Sequence, residues 1–238
     1  MAQGVKPGSS YPAPPTTGAG TPSTAAPSGA IATQGTGLVL TGAGTGLSAE
    51  ADQGVFAATA ETAYQGTWTV ELTSLTNNGS VPWMGEGVQV GILARSDLSS
   101  DAMMYGVVVT GAGVATVLRG RIGLAVVETT AVAVQPQGRT GYIAPQFLLR
   151  NFDLPATNYL LQPVWMRLAR DGTNWSAQTS LDGQHWASLG APVPIPMGGV
   201  WVGPFLASGG TGGVQATLGS VSEAPTTPVL LGSAAGTA

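Results

Sequence analysis

The chain has 238 residues, with 36 glycines, 17 prolines and a formal net charge of −4. Only 8% of its residues are charged, whereas an ordinary globular domain has about 25%, and its few arginines and its lysine form no cluster. This composition excludes a nucleic-acid-binding protein that depends on a basic surface, and the absence of cysteine excludes disulfides and thiolate metal sites.

The N-terminal ten residues lack the apolar stretch of about 7 to 15 residues that marks a secretory signal. No stretch of the chain approaches the roughly 20 apolar residues of a membrane span. We therefore expect synthesis in a cytoplasm, no export by the general route and no membrane partner.

Residues 1–34 are rich in proline, glycine, serine, threonine and alanine, with hardly any large apolar side chain. Such a segment buries too little area to offset the entropy of ordering it. Its composition fits either a flexible linker or an extended arm that packs on neighbouring chains. We predict the arm, and the residues expected to contact the assembly are Tyr11, Pro12, Pro14 and Pro15.

Residues 35–222 are predicted to form strands throughout. Apolar residues alternate with polar ones in 67–75 and 88–95. Further strand patterns occupy 104–110, 114–119, 200–207 and 214–221. No run of ten or more residues has the periodicity and caps of an amphipathic helix. Many short strands joined by glycine-containing turns predict one antiparallel β-sandwich or jelly roll.

The segment 163–186 predicts three consecutive strands and their turns. Asp171-Gly172 and Asp182-Gly183 each supply residues that tolerate the positive φ of a tight hairpin. Alternation in the first strand puts Trp165, Arg167 and Ala169 on one face and Met166, Leu168 and Arg170 on the other. Because aromatic rings contribute most packing area, the tryptophans expected in the core are Trp68, Trp165, Trp175, Trp186 and Trp201.

Two less regular stretches carry the predicted ligand-binding residues. Residues 136–155 are predicted to form a long loop containing Arg139 and Tyr142, and long loops on β-scaffolds concentrate binding contacts. Trp83, in another loop, either packs against the protein or stacks on a sugar ring or a neighbouring subunit. Residues 223–238 return to a proline-, alanine- and glycine-rich composition and are predicted to form a C-terminal tail.

No catalytic residue, metal site or cofactor is predicted. The single histidine, His185, precedes Trp186 at the end of a hairpin, and no Gly-x-Ser-x-Gly turn accompanies it. Asp97 and Asp101 fit an ordinary solvated turn, or a weak calcium site completed by backbone oxygens.

Several strand motifs resemble those of concanavalin A-like lectin and glucanase jelly-roll domains, of the non-catalytic type attached to bacterial extracellular enzymes. The similarity covers about 35–222, and its most specific part is Arg-x-Gly-x-x-Trp followed by Ser-x-Asp-Gly-x-x-Trp in 170–186. It implies a curved sandwich of twelve to fourteen strands that contacts glycans or proteins. The Glu-x-Asp-x-x-Glu motif of related glucanases, whose carboxylates act as nucleophile and acid, is absent from this chain.

We therefore expect a non-enzymatic structural or adhesion protein. The missing signal and the low charge favour a virion component of a bacteriophage or phage-like particle (a head fibre, decoration or tail/baseplate protein), assembled in the host cytoplasm. Residues 1–34 would anchor it to other virion proteins, as a homo-oligomer or within an oligomeric assembly, and its loops would contact host surface glycans. The alternative is a carbohydrate-binding module of a bacterial extracellular system.

Overall fold

A computed structural model describes residues 29–47, 52–77, 81–82, 87–110, 113–120, 129–132, 163–221 and 229–231. These residues form strands, turns and bends arranged as two antiparallel sheets. None of them belongs to a helix long and apolar enough to cross a bilayer.

The first sheet has nine strands among the described residues. They are β1 (Gly29–Gln34), β2 (Gly37–Gly44), β5 (Gln65–Asn77), β6 (Val81–Pro82), β11 (Val164–Asp171), β12 (Asn174–Ser180), β13 (Ala187–Ser188), β14 (Val193–Pro194) and β16 (Gly210–Val221). Their order is β1-β2-β16-β5-β11-β12-β13, with β6 beside β5 and β14 beside β12. Strands β5, β11 and β12 are therefore consecutive neighbours within the sheet.

The second sheet has eight strands in the same part of the chain. They are β3 (Gly54–Phe56), β4 (Thr59–Glu61), β7 (Gln89–Arg95), β8 (Met104–Thr110), β9 (Gly113–Arg119), β10 (Thr129–Val132), β15 (Val200–Ala207) and β17 (Val229–Leu231). Their order is β10-β9-β8-β7-β15-β3-β17, with β4 beside β15.

The main core lies between the two sheets and draws side chains from both. The predicted alternation in 67–75 is confirmed, since Trp68, Val70 and Leu72 are all buried. Trp68 and Trp175 stack with ring centroids 6.0 Å apart, and Tyr105 of the second sheet lies 6.5 Å from Trp175. Aromatic contacts at these separations add to the stabilisation from burial. The predicted antiparallel β-sandwich is confirmed.

Two strands lie at positions that the sequence assigns to the terminal segments. β1 occupies the last six residues of the predicted arm and pairs with β2 along its whole length. β17 lies within 223–238 and pairs with β3. The division into arm, sandwich and tail otherwise stays a prediction, because residues 1–28 and most of the C-terminal segment lie outside the described residues.

Two of the five tryptophans expected in the core are not there, and that part of the prediction is wrong. Trp165 and Trp186 are only partly buried, on the outer side of the first sheet. Trp201 lies on the other face of β15 from Val200 and Val202, which face the main core, and it is partly buried against a second apolar cluster that includes Phe205. The faces of β11 were correctly separated, but the face carrying Met166 and Leu168 is the one that packs inward.

Candidate functional site

Three neighbouring strands of the first sheet present a regular array of side chains on its outer face. Strand pairing places these residues in four rows, each row containing one residue from β5, β11 and β12. The rows are Gln65, Asp171 and Asn174; Thr67, Ala169 and Ser176; Thr69, Arg167 and Gln178; and Glu71, Trp165 and Ser180. We call this array the outer platform. It extends about 20 Å along β11, because a strand rises about 3.3 Å per residue.

Alternation along each strand explains why the outer platform is accessible. Successive side chains of a strand point to opposite faces. The intervening residues of β11, Met166, Leu168 and Arg170, are buried against the second sheet or the end of the core. Polar and small residues at most of the other positions leave this face in contact with solvent, although Ser180 is buried. The platform is thus a consequence of the same pattern that builds the core.

One end of the platform carries two tryptophans and an arginine. The Arg167 guanidinium lies 3.5 Å from the centroid of the Trp186 ring, a cation–π contact. Trp186 donates a hydrogen bond from Nε1 to the carbonyl oxygen of Gly183, 3.2 Å away. A Cβ on Gly183 would lie 3.0 Å from the Trp165 indole, so the turn packs directly against this second ring. Both indoles are partly exposed beside a single cation.

The turn that carries Trp186 is held by Asp182. Its Oδ1 accepts hydrogen bonds from the backbone N–H groups of Gln184 and His185, each at 2.8 Å. Its Oδ2 lies 2.6 Å from Nδ1 of His185. The backbone hydrogen bond from His185, followed by its side-chain contact, lowers the pKa of Asp182. Gly183 has a φ of 70°, which glycine adopts without strain. These bonds fix the ring of Trp186 over Arg167.

Arg167 supplies the positive charge of the platform. Its Nε donates to Oγ1 of Thr69 at 3.3 Å. Partial burial lowers its pKa by desolvation, although an arginine side chain stays protonated at neutral pH. Within the described ranges it forms no ion pair. Its planar donors therefore lie at the surface between the two indoles and the rest of the platform.

The other end of the platform is an open groove of about 570 Å³. Its walls include Gln65, Thr67, Asp171, Asn174, Ser176 and Pro192. Ala169 leaves space for the groove, because its side chain is only a methyl group. Gln65 donates from Nε2 to Oδ1 of Asp171 at 3.1 Å. The groove thus offers amide, hydroxyl and carboxylate groups around a small apolar centre.

Arg170 supports the groove from below. Its side chain is 3% exposed and donates to the backbone carbonyl oxygens of Gly172, Ala63, Gly198 and Met197. It also lies 4.8 Å from the ring of Tyr64 and 5.2 Å from that of Trp175. Desolvation lowers the pKa of Arg170. One guanidinium therefore ties the β11–β12 turn to two other loops.

A second polar cluster lies on the outer side of the second sheet but is fully buried. Asp52 forms ion pairs with Arg95 and Arg119, and all three side chains have no exposed surface. Arg119 also donates from Nε to the carbonyl oxygen of Ala102 at 2.9 Å. Burial lowers the pKa of Arg95 by desolvation, partly offset by the Asp52 carboxylate. With no access for a solute, this cluster stabilises the loop that it joins to β7 and β9.

Asp97, one of the two aspartates considered for calcium, is hydrogen-bonded within its own turn. Asp97 accepts a hydrogen bond from the backbone N–H of Ser99 at 2.8 Å and another from Ser96 Oγ at 3.1 Å. This is the pattern of an aspartate that stabilises its own turn. Across the described residues, no three histidine, aspartate or glutamate side chains gather as a metal site would require.

The residues singled out from the sequence for ligand and assembly contacts lie outside the described residues. These are Trp83, Arg139 and Tyr142 for ligand binding, and Tyr11, Pro12, Pro14 and Pro15 for the arm. The outer platform was missed because its tryptophans were assigned to the core. Alternation along β11 shows that Trp165 and Arg167 share a face with Ala169 and not with Met166 and Leu168, but it does not show which of the two faces is solvated.

Known proteins share the fold of this chain. The chain matches no family model and no curated protein sequence. Among solved structures it is similar to a functionally unknown protein from Saccharomyces cerevisiae, with a TM-score of 0.51, 16% identity, and coverage of 83% of this chain and 93% of that one. This likeness shows that the same fold forms nearly the whole of another protein.

Weaker likenesses involve two other proteins. A xylan β-1,4-xylosidase from Bacillus halodurans has a TM-score of 0.48 and 11% identity, with 79% of this chain and 33% of that chain covered. The exoplasmic/lumenal domain of VIP36, in a form bound to Ca²⁺ and Man3GlcNAc, has a TM-score of 0.39 and 8% identity, with 81% of both chains covered. The present chain spans a third of the xylosidase.

Proposed function

We propose that this protein is a non-enzymatic carbohydrate-binding module and that the outer platform is its binding surface. The observation that carries the proposal is the partly exposed group formed by Trp165, Arg167 and Trp186, with the Arg167 guanidinium 3.5 Å from the centroid of the Trp186 ring. A group of this kind on an open sheet face has no structural task in the core.

The chemistry of a sugar fits this surface. A pyranose ring has an apolar C–H face that packs on an indole and hydroxyl groups at its edge that need hydrogen-bond partners. Trp165 and Trp186 supply the indoles, and such rings combine a large apolar area with a polar edge. Gln178 and Thr69 lie in the adjacent row of the platform, and their amide and hydroxyl groups both donate and accept.

The carboxylates of the platform argue against glycoside hydrolysis there. Glu71 lies opposite Trp165, whereas Asp171 is six residues further along β11, a separation of about 20 Å. The two carboxyl groups of a glycosidase are about 5 to 10 Å apart. Glu71 and Asp171 therefore cannot act as an acid and nucleophile pair on one bond.

A binding experiment tests the proposal. The intact protein is titrated by calorimetry with cellohexaose, xylohexaose and mannohexaose, and the same titrations are repeated with a Trp165→Ala/Trp186→Ala double variant. We expect at least one sugar to bind and the double variant to lose at least about tenfold in affinity. The matched control is Gln215→Ala, on β16 of the same sheet and outside the platform, which should bind like the wild type.

Two results would overturn the proposal. One is the absence of binding to a broad array of glycans by the folded wild-type protein. The other is equal affinity in the wild type and the double variant, with circular dichroism showing that both are folded.

The particle-borne role expected from the sequence remains a proposal of its own. The segment that would anchor the protein, residues 1–28 above all, lies outside the described residues. Labelling the chain in purified particles would test it. Label at fixed sites on a regular particle would support a virion component whose sandwich contacts glycans, whereas label only on free monomer would exclude that role.

A further inference from the structure

The outer platform has two ends of different chemistry. Trp165 and Trp186 form an aromatic end, and the groove around Ala169 forms a polar end. Trp165 and Ala169 are four residues apart on β11, which corresponds to about 13 Å. A single sugar ring cannot reach from the indoles to the groove.

One row of polar side chains lies between the two ends. The row between them contains Thr69, Arg167 and Gln178, and the Arg167 guanidinium is held back against the Trp186 ring. The following row contains only Thr67, Ala169 and Ser176. A ligand that follows β11 therefore meets a continuous surface.

The charges of the platform favour a neutral ligand. A carboxylate lies in each of its outermost rows, Glu71 at the aromatic end and Asp171 at the polar end. The one cation between them, Arg167, is partly buried against an indole. A chain of acidic sugars would meet both carboxylates, and like charges at close range cost free energy.

Resting on the function proposed above, we infer that the outer platform binds an internal stretch of an unbranched, neutral polysaccharide and not a terminal sugar. One sugar packs on Trp165 and Trp186, and a sugar further along the same chain occupies the groove over Ala169. An open groove at the end of the platform accepts a chain that continues past it into solvent, whereas recognition of a chain end requires an enclosed pocket.

The length dependence of affinity tests this inference. Titrations use cello-, xylo- and manno-oligosaccharides from the disaccharide to the hexasaccharide, on the intact protein. We expect affinity to rise at least about tenfold from the disaccharide to the tetrasaccharide or pentasaccharide and then to stay constant. An oligogalacturonate of the same length should bind at least about tenfold more weakly than the best neutral chain.

A variant at the floor of the groove separates the two ends. Ala169→Leu fills the groove with an outward side chain, so it should remove most of the gain in affinity between the disaccharide and the hexasaccharide. The matched control is Ala32→Leu, an exposed position on β1 of the same sheet, which should behave like the wild type. A thermal melt of each variant verifies folding.

The outcomes distinguish this inference from the function on which it rests. If affinity is the same at every length, or Ala169→Leu binds long chains like the wild type, the inference is wrong. If in the same experiment the Trp165→Ala/Trp186→Ala variant still loses binding, the proposed function stands. If no glycan binds, the proposed function itself fails.

Discussion

The two outer faces of the sandwich differ sharply in their contact with solvent. On the second sheet, the outward side chains Leu93, Val108 and Phe205 are at most 1% exposed and belong to a second apolar cluster. On the first sheet, the outward positions of β5, β11 and β12 carry polar residues and two partly exposed tryptophans. Among the residues that the structure describes, the first sheet has the broader solvent-accessible outer face.

The difference originates in the strand sequences. β7 and β8 are almost continuously apolar, and nearly every residue in them is buried. A strand that is buried on both faces has this composition. β11 and β12 alternate between buried and partly exposed positions, as a strand does when one face is solvated. The two classes of strand therefore distinguish a sheet that is buried on both faces from a sheet with one solvated face.

The largest expected effect is a difference in stability loss between two aspartate substitutions, one on the side of each outer face. Asp52→Ala should destabilise the protein by about 5 kcal/mol, because it leaves the buried guanidinium groups of Arg95 and Arg119 without their shared carboxylate. Asp171→Ala, exposed on the platform, should change the free energy of unfolding by no more than about 0.5 kcal/mol. Chemical denaturation measures both values. Similar losses in the two variants would contradict the contrast between the faces.

Two tryptophans of the first sheet should differ in how much they contribute to stability. Trp175→Ala should cost about 4 kcal/mol, because the side chain is fully buried between Trp68 and Tyr105. Trp165→Ala should cost about 1 kcal/mol, since its ring is already partly exposed. Thermal or urea unfolding of the two variants tests this. An equal loss would mean that Trp165 belongs to the core, as the sequence alone suggested.

These tryptophans also show how far the sequence could be read. Alternation correctly separated the two faces of β11, and the Asp171-Gly172 turn correctly joined it to β12, where Gly172 has a φ of 64°. Which face turned inward could not be decided from β11 alone, because each face carries large side chains and an arginine. The assignment followed the size of Trp165, whereas Met166 and Leu168 together bury the other face.

No local sequence pattern predicts the buried cluster of Asp52, Arg95 and Arg119. Asp52 and Arg119 are 67 residues apart in the chain, so no spacing connects them. The only available signal was an arginine at the end of two otherwise apolar strands, β7 and β9. Their burial is a product of the tertiary arrangement, which brings the segment containing Asp52 over both strand ends.

The smallest expected effect concerns the core that both sheets share. Burial raises the pKa of Tyr105 to about 12 from an ordinary value of 10.0. The unfolded chain loses this proton first, so the stability that Tyr105 contributes is complete below pH 10 and is lost as the pH rises to about 12. The free energy of unfolding of Tyr105→Phe should therefore fall less steeply than that of the wild type as the pH rises through this window. Identical pH profiles for wild type and variant would contradict the raised pKa.

The most direct test of the proposed binding at the outer platform is a titration followed by NMR of the tryptophan indole N–H groups. The chain has six tryptophans, and each gives one indole signal, assigned by single substitution. On addition of the hexasaccharides of glucose, xylose and mannose in turn, the signals of Trp165 and Trp186 should shift together, whereas those of Trp68 and Trp175 should stay unchanged. Shifts confined to other tryptophans, with Trp165 and Trp186 unaffected, would contradict binding at the outer platform.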